Sequence, residues 1–354
     1  MDRRTFIGVV GFGALLYTAK VKGSENLSFN SFELIYPPLL KKGSKVAFTA
    51  PGSPVNIWEL RYIANFFQKN GCSIVYGETV TKRDKKFRYL SRDDKFRAEE
   101  LNRFFADPSI HCIVAARGGY GSIRILDLLD YDTIQKNPKV FIGFSDITVL
   151  LNAIYKKTNL VTFHGPTGNF FLDRFTISSL ETMIFDKSNN GENIFKYKFT
   201  KSEILNPGET SGHLVGGNLS NLVSLLGTEF EFDTKNSLLF LEEISEHPYR
   251  IDRMLKQMEL AGKFKDCKGV LLGYFGKLDT RRNFYPDYSF TLREIFDSYF
   301  KKFDFPVVLN LPFGHQSKFI TFPIGGFCEI SSKNLEICLN LYEVLTRNEN
   351  MLIK

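Results

Sequence analysis

The sequence predicts an α/β protein, with an N-terminal doubly wound parallel-sheet domain followed by a smaller, mixed C-terminal β domain expected to be barrel-like. Three observations carry this reading. Through the first half, short apolar runs alternate with helical apolar patterns, as βαβ units require. Glycine- and serine-rich turns follow those runs, where the C-terminal ends of parallel strands gather function. Beyond residue 208, short apolar strands outnumber helices.

The 354 residues, 43% hydrophobic and 24% charged, are enough for two folded domains. The net charge is +7, but Lys and Arg are scattered among 39 acidic residues, so there is no basic stripe and no nucleic-acid partner is expected. At the start, Asp2-Arg3-Arg4-Thr5-Phe6-Ile7 precedes an apolar run at 8–19, in the order of a twin-arginine export signal. That run is too short for a stable membrane span. Residues 1–24 are therefore expected to be an export signal to the periplasm; the alternative is a frayed end on a cytoplasmic enzyme.

Lys45-Val46-Ala47-Phe48-Thr49-Ala50 reads as the first strand, stopped by Pro51-Gly52-Ser53-Pro54. Ile57, Leu60, Ile63, Ala64 and Phe67 recur at helical spacing, and Gly71 ends that helix before the strand Ser73-Ile74-Val75-Tyr76. A helix is expected over 96–105, with Arg97, Glu99, Glu100 and Arg103 on its wet face. Cys112-Ile113-Val114-Ala115-Ala116 is the next strand, Arg117-Gly118-Gly119-Tyr120-Gly121-Ser122 a tight loop, and 123–129 a helix.

The glycine loop lacks the GxGxxG and P-loop patterns, which argues against a nucleotide fold. Its glycines could instead bring backbone N–H groups to a reacting carbonyl, or serve only as a turn. Lys139-Val140-Phe141-Ile142 then runs into Gly143-Phe144-Ser145-Asp146, and an apolar helical pattern follows at once. Ser145 thus sits at a strand-to-helix turn, where it serves either as a helix N-cap or as an exposed nucleophile beside helix N–H groups.

Asn159-Leu160-Val161-Thr162-Phe163-His164 closes the first domain, expected over 44–169. Residues 170–207 are polar and weakly patterned, with Ser-Asn-Asn-Gly at 188–191, and read as a connection. The second domain, 208–345, holds Gly216-Gly217-Asn218, a strand at 237–243, a helix at 249–260, and strands at 269–274, at 307–311 and around Cys328 and Cys338. The five cysteines form no CxxC pair and suit core positions, although Cys328 and Cys338 flank an expected hairpin and could lie close enough to pair.

A serine nucleophile needs a base, and five histidines are available. His111 fronts a strand, His213 and His247 lie in loops, and His164 ends a strand facing the same crevice or the core. His315 follows Leu311-Pro312-Phe313-Gly314 in a glycine-introduced loop. A histidine base also needs an acceptor for its second N–H. Glu242 ends an apolar run, with Glu243 and Glu246 beside it as alternatives.

The series Arg88-Tyr89-Leu90-Ser91, Arg97-Ala98, Phe105-Ala106-Asp107-Pro108, Ala116-Arg117-Gly118-Gly119-Tyr120-Gly121, Ile142-Gly143-Phe144-Ser145-Asp146-Ile147-Thr148 and His164-Gly165-Pro166 continues through the second half. There it runs as Gly216-Gly217-Asn218-Leu219, Leu241-Glu242-Glu243, Tyr249-Arg250-Ile251-Asp252-Arg253-Met254-Leu255 and Pro312-Phe313-Gly314-His315. In this order it resembles the serine L,D-carboxypeptidases, the group that includes muramoyltetrapeptide carboxypeptidase and the microcin C immunity hydrolases, over roughly residues 44 to 340.

The resemblance implies Ser145 as nucleophile, Glu242 as orienting acid and His315 as base. Backbone N–H groups of Asp146 and of a glycine in the 118–119 pair, Gly119 by preference, would form the oxyanion hole. Leu90-Ser91-Arg92 replaces the usual Leu-Ala-Gly of the family, which bears on substrate detail. The implied reaction removes a C-terminal D-amino acid, D-Ala, from a murein tetrapeptide through an acyl-enzyme, with no metal or other cofactor. A small peptide or muropeptide is the expected partner, and a homodimer is suggested by the family alone. Arg117 and Arg250 are both candidates for the substrate carboxylate. Two alternatives stand beside this reading: hydrolysis of a peptide-nucleotide or acyl-amide conjugate, and a non-catalytic exported binding protein.

Overall fold

Five short apolar runs form the parallel strands of the first sheet: β1 (Lys45–Thr49), β2 (Ser73–Tyr76), β3 (Cys112–Ala115), β4 (Val140–Gly143) and β5 (Thr162–His164). β3, β4 and β5 are buried at every position, which is why they read as continuous apolar runs and not as alternating ones. The structure is a computed structural model that describes residues 33–187, 193–276 and 290–342. The expected export signal and the Ser-Asn-Asn-Gly turn lie outside the described residues.

The remaining strands are β6 (Ile194–Lys198), β7 (Ile204–Asn206), β8 (Glu209–Asn218), β9 (Ser237–Glu242), β10 (Gly269–Leu272), β11 (Val307–Val308), β12 (Phe322–Ile324), β13 (Phe327–Ser331) and β14 (Glu336–Asn340). The first sheet has the order β12-β5-β4-β3-β1-β2. Its five N-terminal strands are mutually parallel, and β12, from late in the chain, joins antiparallel to β5. The strand order reverses between β1 and β3, the place where open α/β sheets leave a crevice outside their C-terminal ends.

The second sheet is mixed, with the order β6-β14-β13-β8-β9-β10-β11-β7. β8, β9, β10 and β11 are parallel, while β13, β14, β6 and β7 join antiparallel. The expected barrel does not close: the terminal strands β6 and β7 stay at opposite edges of an open sheet. Side chains alternate along β9, so Leu238 and Phe240 enter the core shared with the first sheet. Leu239 and Leu241 enter a second core under the helices Pro248–Leu260 and Leu292–Phe300. Both faces of the sheet are thereby covered.

Three further expectations are corrected. The helix expected over 96–105 is Asp94–Ala106, capped by Asp93, but Arg97 and Glu100 are not on its wet face; both are fully buried. Arg97 reaches backbone carbonyls, and Glu100 accepts from Thr49 Oγ1 at 2.7 Å and from the Thr79 N–H at 3.1 Å, so bonded partners replace water. The 170–207 stretch is patterned after all, carrying the helix Arg174–Ile184 with Leu180, Met183 and Ile184 buried, followed by β6. Cys328 lies opposite Leu339 and Cys338 opposite Glu329, so strand alternation turns the two thiols to opposite faces of the sheet and they do not pair.

Candidate active site

Ser145 follows β4 with only Phe144 between them, and the chain turns there with φ 64, the left-handed region that a residue with a Cβ occupies only under constraint. Of the two sequence readings, the helix cap fails. Phe144 is the N-cap residue of the short helix Ser145–Ile147 and makes no side-chain cap bond. The Ser145 hydroxyl instead lies 3.1 Å from His315 Nε2. His315 Nδ1 lies 2.7 Å from Glu242 Oε2. With Nδ1–H donating to the carboxylate, Nε2 is left to accept the serine proton.

Strand geometry explains why Glu242 and not its neighbours meets the imidazole. Glu242 shares the face of Phe240, toward the first sheet, and is fully buried. Glu243 points the other way, where it accepts from Asn218 Nδ2 at 3.1 Å and the Ser220 N–H at 2.8 Å. Glu246 pairs with Arg250 at 3.3 Å. Gly314 has φ 91, and a Cβ there would lie 2.6 Å from Glu242 Oε2, so the residue before His315 must lack a side chain for the pair to close.

Burial disfavours a charged His315, but the hydrogen bond and charge of Glu242, with Glu243 behind, outweigh it and raise the histidine above its ordinary value. The Phe144 ring packs on the imidazole with centroids 4.9 Å apart. His164 stands behind this layer among Phe144, Phe240, Phe313 and Phe319. Neither of its ring nitrogens has a hydrogen-bond partner among the described residues, and burial pushes its pKa down to about 3. His164 is thus a core residue that touches the layer behind the serine.

The other histidines lie elsewhere. His111 Nδ1 accepts from the Lys45 N–H at 3.1 Å, His213 Nδ1 is 2.9 Å from Gly325 O, and His247 stacks on Tyr249. Arg250 is engaged with Glu246 and Tyr249. Arg117 is exposed on the glycine loop, its guanidinium donating to Pro54 O at 3.3 Å.

The helix that begins after Ser145, Thr148–Thr158, is docked by the glycine pair of β8. Asn152 Nδ2 donates to Gly216 O at 2.9 Å, the Asn218 N–H donates to Thr148 Oγ1 at 3.1 Å, and a Cβ on Gly217 would lie 2.5 Å from Thr148 Cγ2. The second half of the chain thus fixes the helix that presents the serine. On the other side, a Cβ on Gly118 would lie 2.8 Å from Ser145 Cβ, so the glycine loop presses on the hydroxyl-bearing residue. The N–H groups of Gly118, Gly119 and Asp146 make no hydrogen bond among the described residues.

Residues 46–165 match the family model of the LD-carboxypeptidase N-terminal domain, and residues 211–330 that of the LD-carboxypeptidase C-terminal domain. The chain is 37% identical over 298 residues to the probable murein peptide carboxypeptidase of Bacillus subtilis (strain 168), covering 83% of this chain and 91% of that one. It is 28% identical over 347 residues to the microcin C7 self-immunity protein of Escherichia coli, covering 88% of this chain and 97% of that one. The crystal structure of muramoyltetrapeptide carboxypeptidase from Oxalobacter formigenes superposes with a TM-score of 0.71 at 30% identity, over 85% of this chain and 99% of that one.

Proposed function

Because this chain belongs to the LD-carboxypeptidase family, we propose that it is a serine-type L,D-carboxypeptidase that removes a terminal D-amino acid from murein tetrapeptides. The carrying observation is the hydrogen-bonded series Ser145, His315 and Glu242, with 3.1 Å between Ser145 Oγ and His315 Nε2 and 2.7 Å between His315 Nδ1 and Glu242 Oε2. Serine attacks the carbonyl of the L-centre as its proton passes to Nε2. Glu242 holds the imidazole in the required tautomer and stabilises the imidazolium. The free N–H groups of Gly119 and Asp146 receive the oxyanion. His315 then returns the proton to the leaving amine, releasing the D-amino acid, and activates water to hydrolyse the ester.

The relatives named for murein peptide and muramoyltetrapeptide support this substrate class. The test is mass detection of free D-Ala from a muropeptide tetrapeptide incubated with wild-type protein, Ser145→Ala and His315→Ala. D-Ala release surviving in both variants would sink the mechanism. The similarity to the microcin C7 self-immunity protein favours a second reading, hydrolysis of an aminoacyl or peptidyl nucleotide conjugate by the same triad. Cleavage of an aminoacyl sulfamoyl adenosine with little turnover of tetrapeptide would select it.

A further inference from the structure

The glycine loop after β3 is held by bonds on both sides of the Gly118 and Gly119 N–H groups, which themselves have no partner among the described residues. Gly118 O accepts from the Ser53 N–H at 3.2 Å, and the Tyr120 N–H donates to Ser53 Oγ at 3.1 Å. The Gly121 and Ser122 N–H groups donate to the two carboxylate oxygens of Asp146, at 3.2 and 2.9 Å. Gly121 O accepts from Arg97 Nη1 at 2.9 Å. Arg97 also reaches Pro51 O, Arg92 O and Asp94, which anchors it to the loop after β1 and to its own helix.

Both charges are out of water, Arg97 with 0% and Asp146 with 2% of their surface exposed. Burying a carboxylate and a guanidinium costs several kcal/mol each unless their hydrogen bonds are filled. Here Asp146 takes the Gly121 and Ser122 N–H groups while Arg97 takes the Gly121 carbonyl among its other partners, so the two charges grip one peptide segment from its N–H and C=O sides. The fit is tight, since a Cβ on Gly52 would lie 2.4 Å from Asp146 Oδ2 and one on Gly121 would lie 3.3 Å from Arg97 Nη1. Asp146 is also the residue after Ser145, so one residue joins the serine turn to the glycine loop.

We propose that Asp146 is a positioning residue: its side chain, with Arg97, sets the glycine loop so that the Gly119 N–H and its own N–H converge on one oxyanion. The proposal rests on the reading of Ser145 as nucleophile. The side chain touches no substrate atom. It acts through the loop, and its loss should be felt where charge develops on the carbonyl oxygen and not where the ground-state peptide binds.

The experiment compares wild-type protein, Asp146→Asn, Asp146→Ala and Ser145→Ala for kcat and KM on tetrapeptide, and for inhibition by a tripeptide aldehyde that adds to the serine. Asp146→Asn should lower kcat by roughly 10- to 100-fold, leave KM within about twofold, and weaken the aldehyde by the same factor as kcat/KM. Asp146→Ala, which strands both N–H groups, should lose more. Thermal melts select folded variants, and Asp146→Ser replaces any that does not fold. Unchanged kcat in Asp146→Asn, or a fall in kcat with undiminished aldehyde affinity, overturns the positioning role. Hydrolysis surviving in Ser145→Ala would instead overturn the functional reading beneath it.

Discussion

Replacing Glu242 by Gln isolates the charge behind His315, the proposed base. Glu242 Oε2 is 2.7 Å from His315 Nδ1, the carboxylate is fully buried, and its Oε1 has no partner among the described residues. In the proposed mechanism the imidazolium formed during serine attack is held mainly by this one carboxylate contact, with the charge of Glu243 behind it. With charge centres about 4 Å apart and an effective dielectric constant near 20, the attraction is about 4 kcal/mol. At about 1.4 kcal/mol per decade, its loss corresponds to a fall of roughly 10²- to 10³-fold in kcat, with KM little changed.

The same substitution moves the pH profile. In the proposed mechanism neutral His315 is the base, so activity should rise with pH through its pKa, which Glu242 now holds above about 6.5. Without that charge, burial prevails and the acid limb shifts to lower pH. Initial rates of D-Ala release between pH 5 and 9 measure both effects. A variant within threefold of wild-type kcat, or an acid limb that stays in place, would refute the reasoning.

Three further outcomes are expected. Ser145→Gly should relieve the strain of φ 64 and be more stable than Ser145→Ala by about 1 kcal/mol in urea melts, with both inactive; equal midpoints would deny the strain. Gly118→Ala places a methyl 3.1 Å from Ser145 Oγ and should cut kcat by about tenfold or more; unaltered kinetics would show that the loop yields. His164, held at about 3, contributes stability above its unfolded pKa near 6.5 that is lost as pH falls, whereas the raised His315 stabilises at acid pH and loses that contribution as pH rises through its folded pKa. The stability of His164→Leu relative to wild type should therefore improve by about 3 kcal/mol from pH 7 to pH 4, and a constant difference in denaturant melts would exclude this role.

Much of the site was legible because its residues sit at punctuation marks of the chain. A buried strand that runs into Gly-Phe-Ser-Asp marks a turn at Ser145, and a carboxylate closing the apolar run of β9 marks Glu242 as needing a partner. Two patterns misled. Helical spacing placed Arg97 and Glu100 on a wet face, because periodicity cannot register that a backbone carbonyl of the glycine loop and a threonine hydroxyl of β1 wait for them. Local pattern also hid β12, a three-residue strand whose place beside β5 is a long-range pairing.

The sequence by itself determined the alternation of strand and helix, the five parallel strands, the location of a serine turn and the residue types available for acyl transfer. Those depend on local spacing, side-chain shape and glycine's freedom, all of which act within a few residues. Tertiary structure decided which carboxylate faces which histidine, that Ser145 bonds His315 instead of capping a helix, and that Asp146 grips a loop 24 residues earlier in the chain. Those are choices among distant groups, made when strand alternation and the docking of one sheet on the other assign each side chain a face and leave burial to require a partner for it.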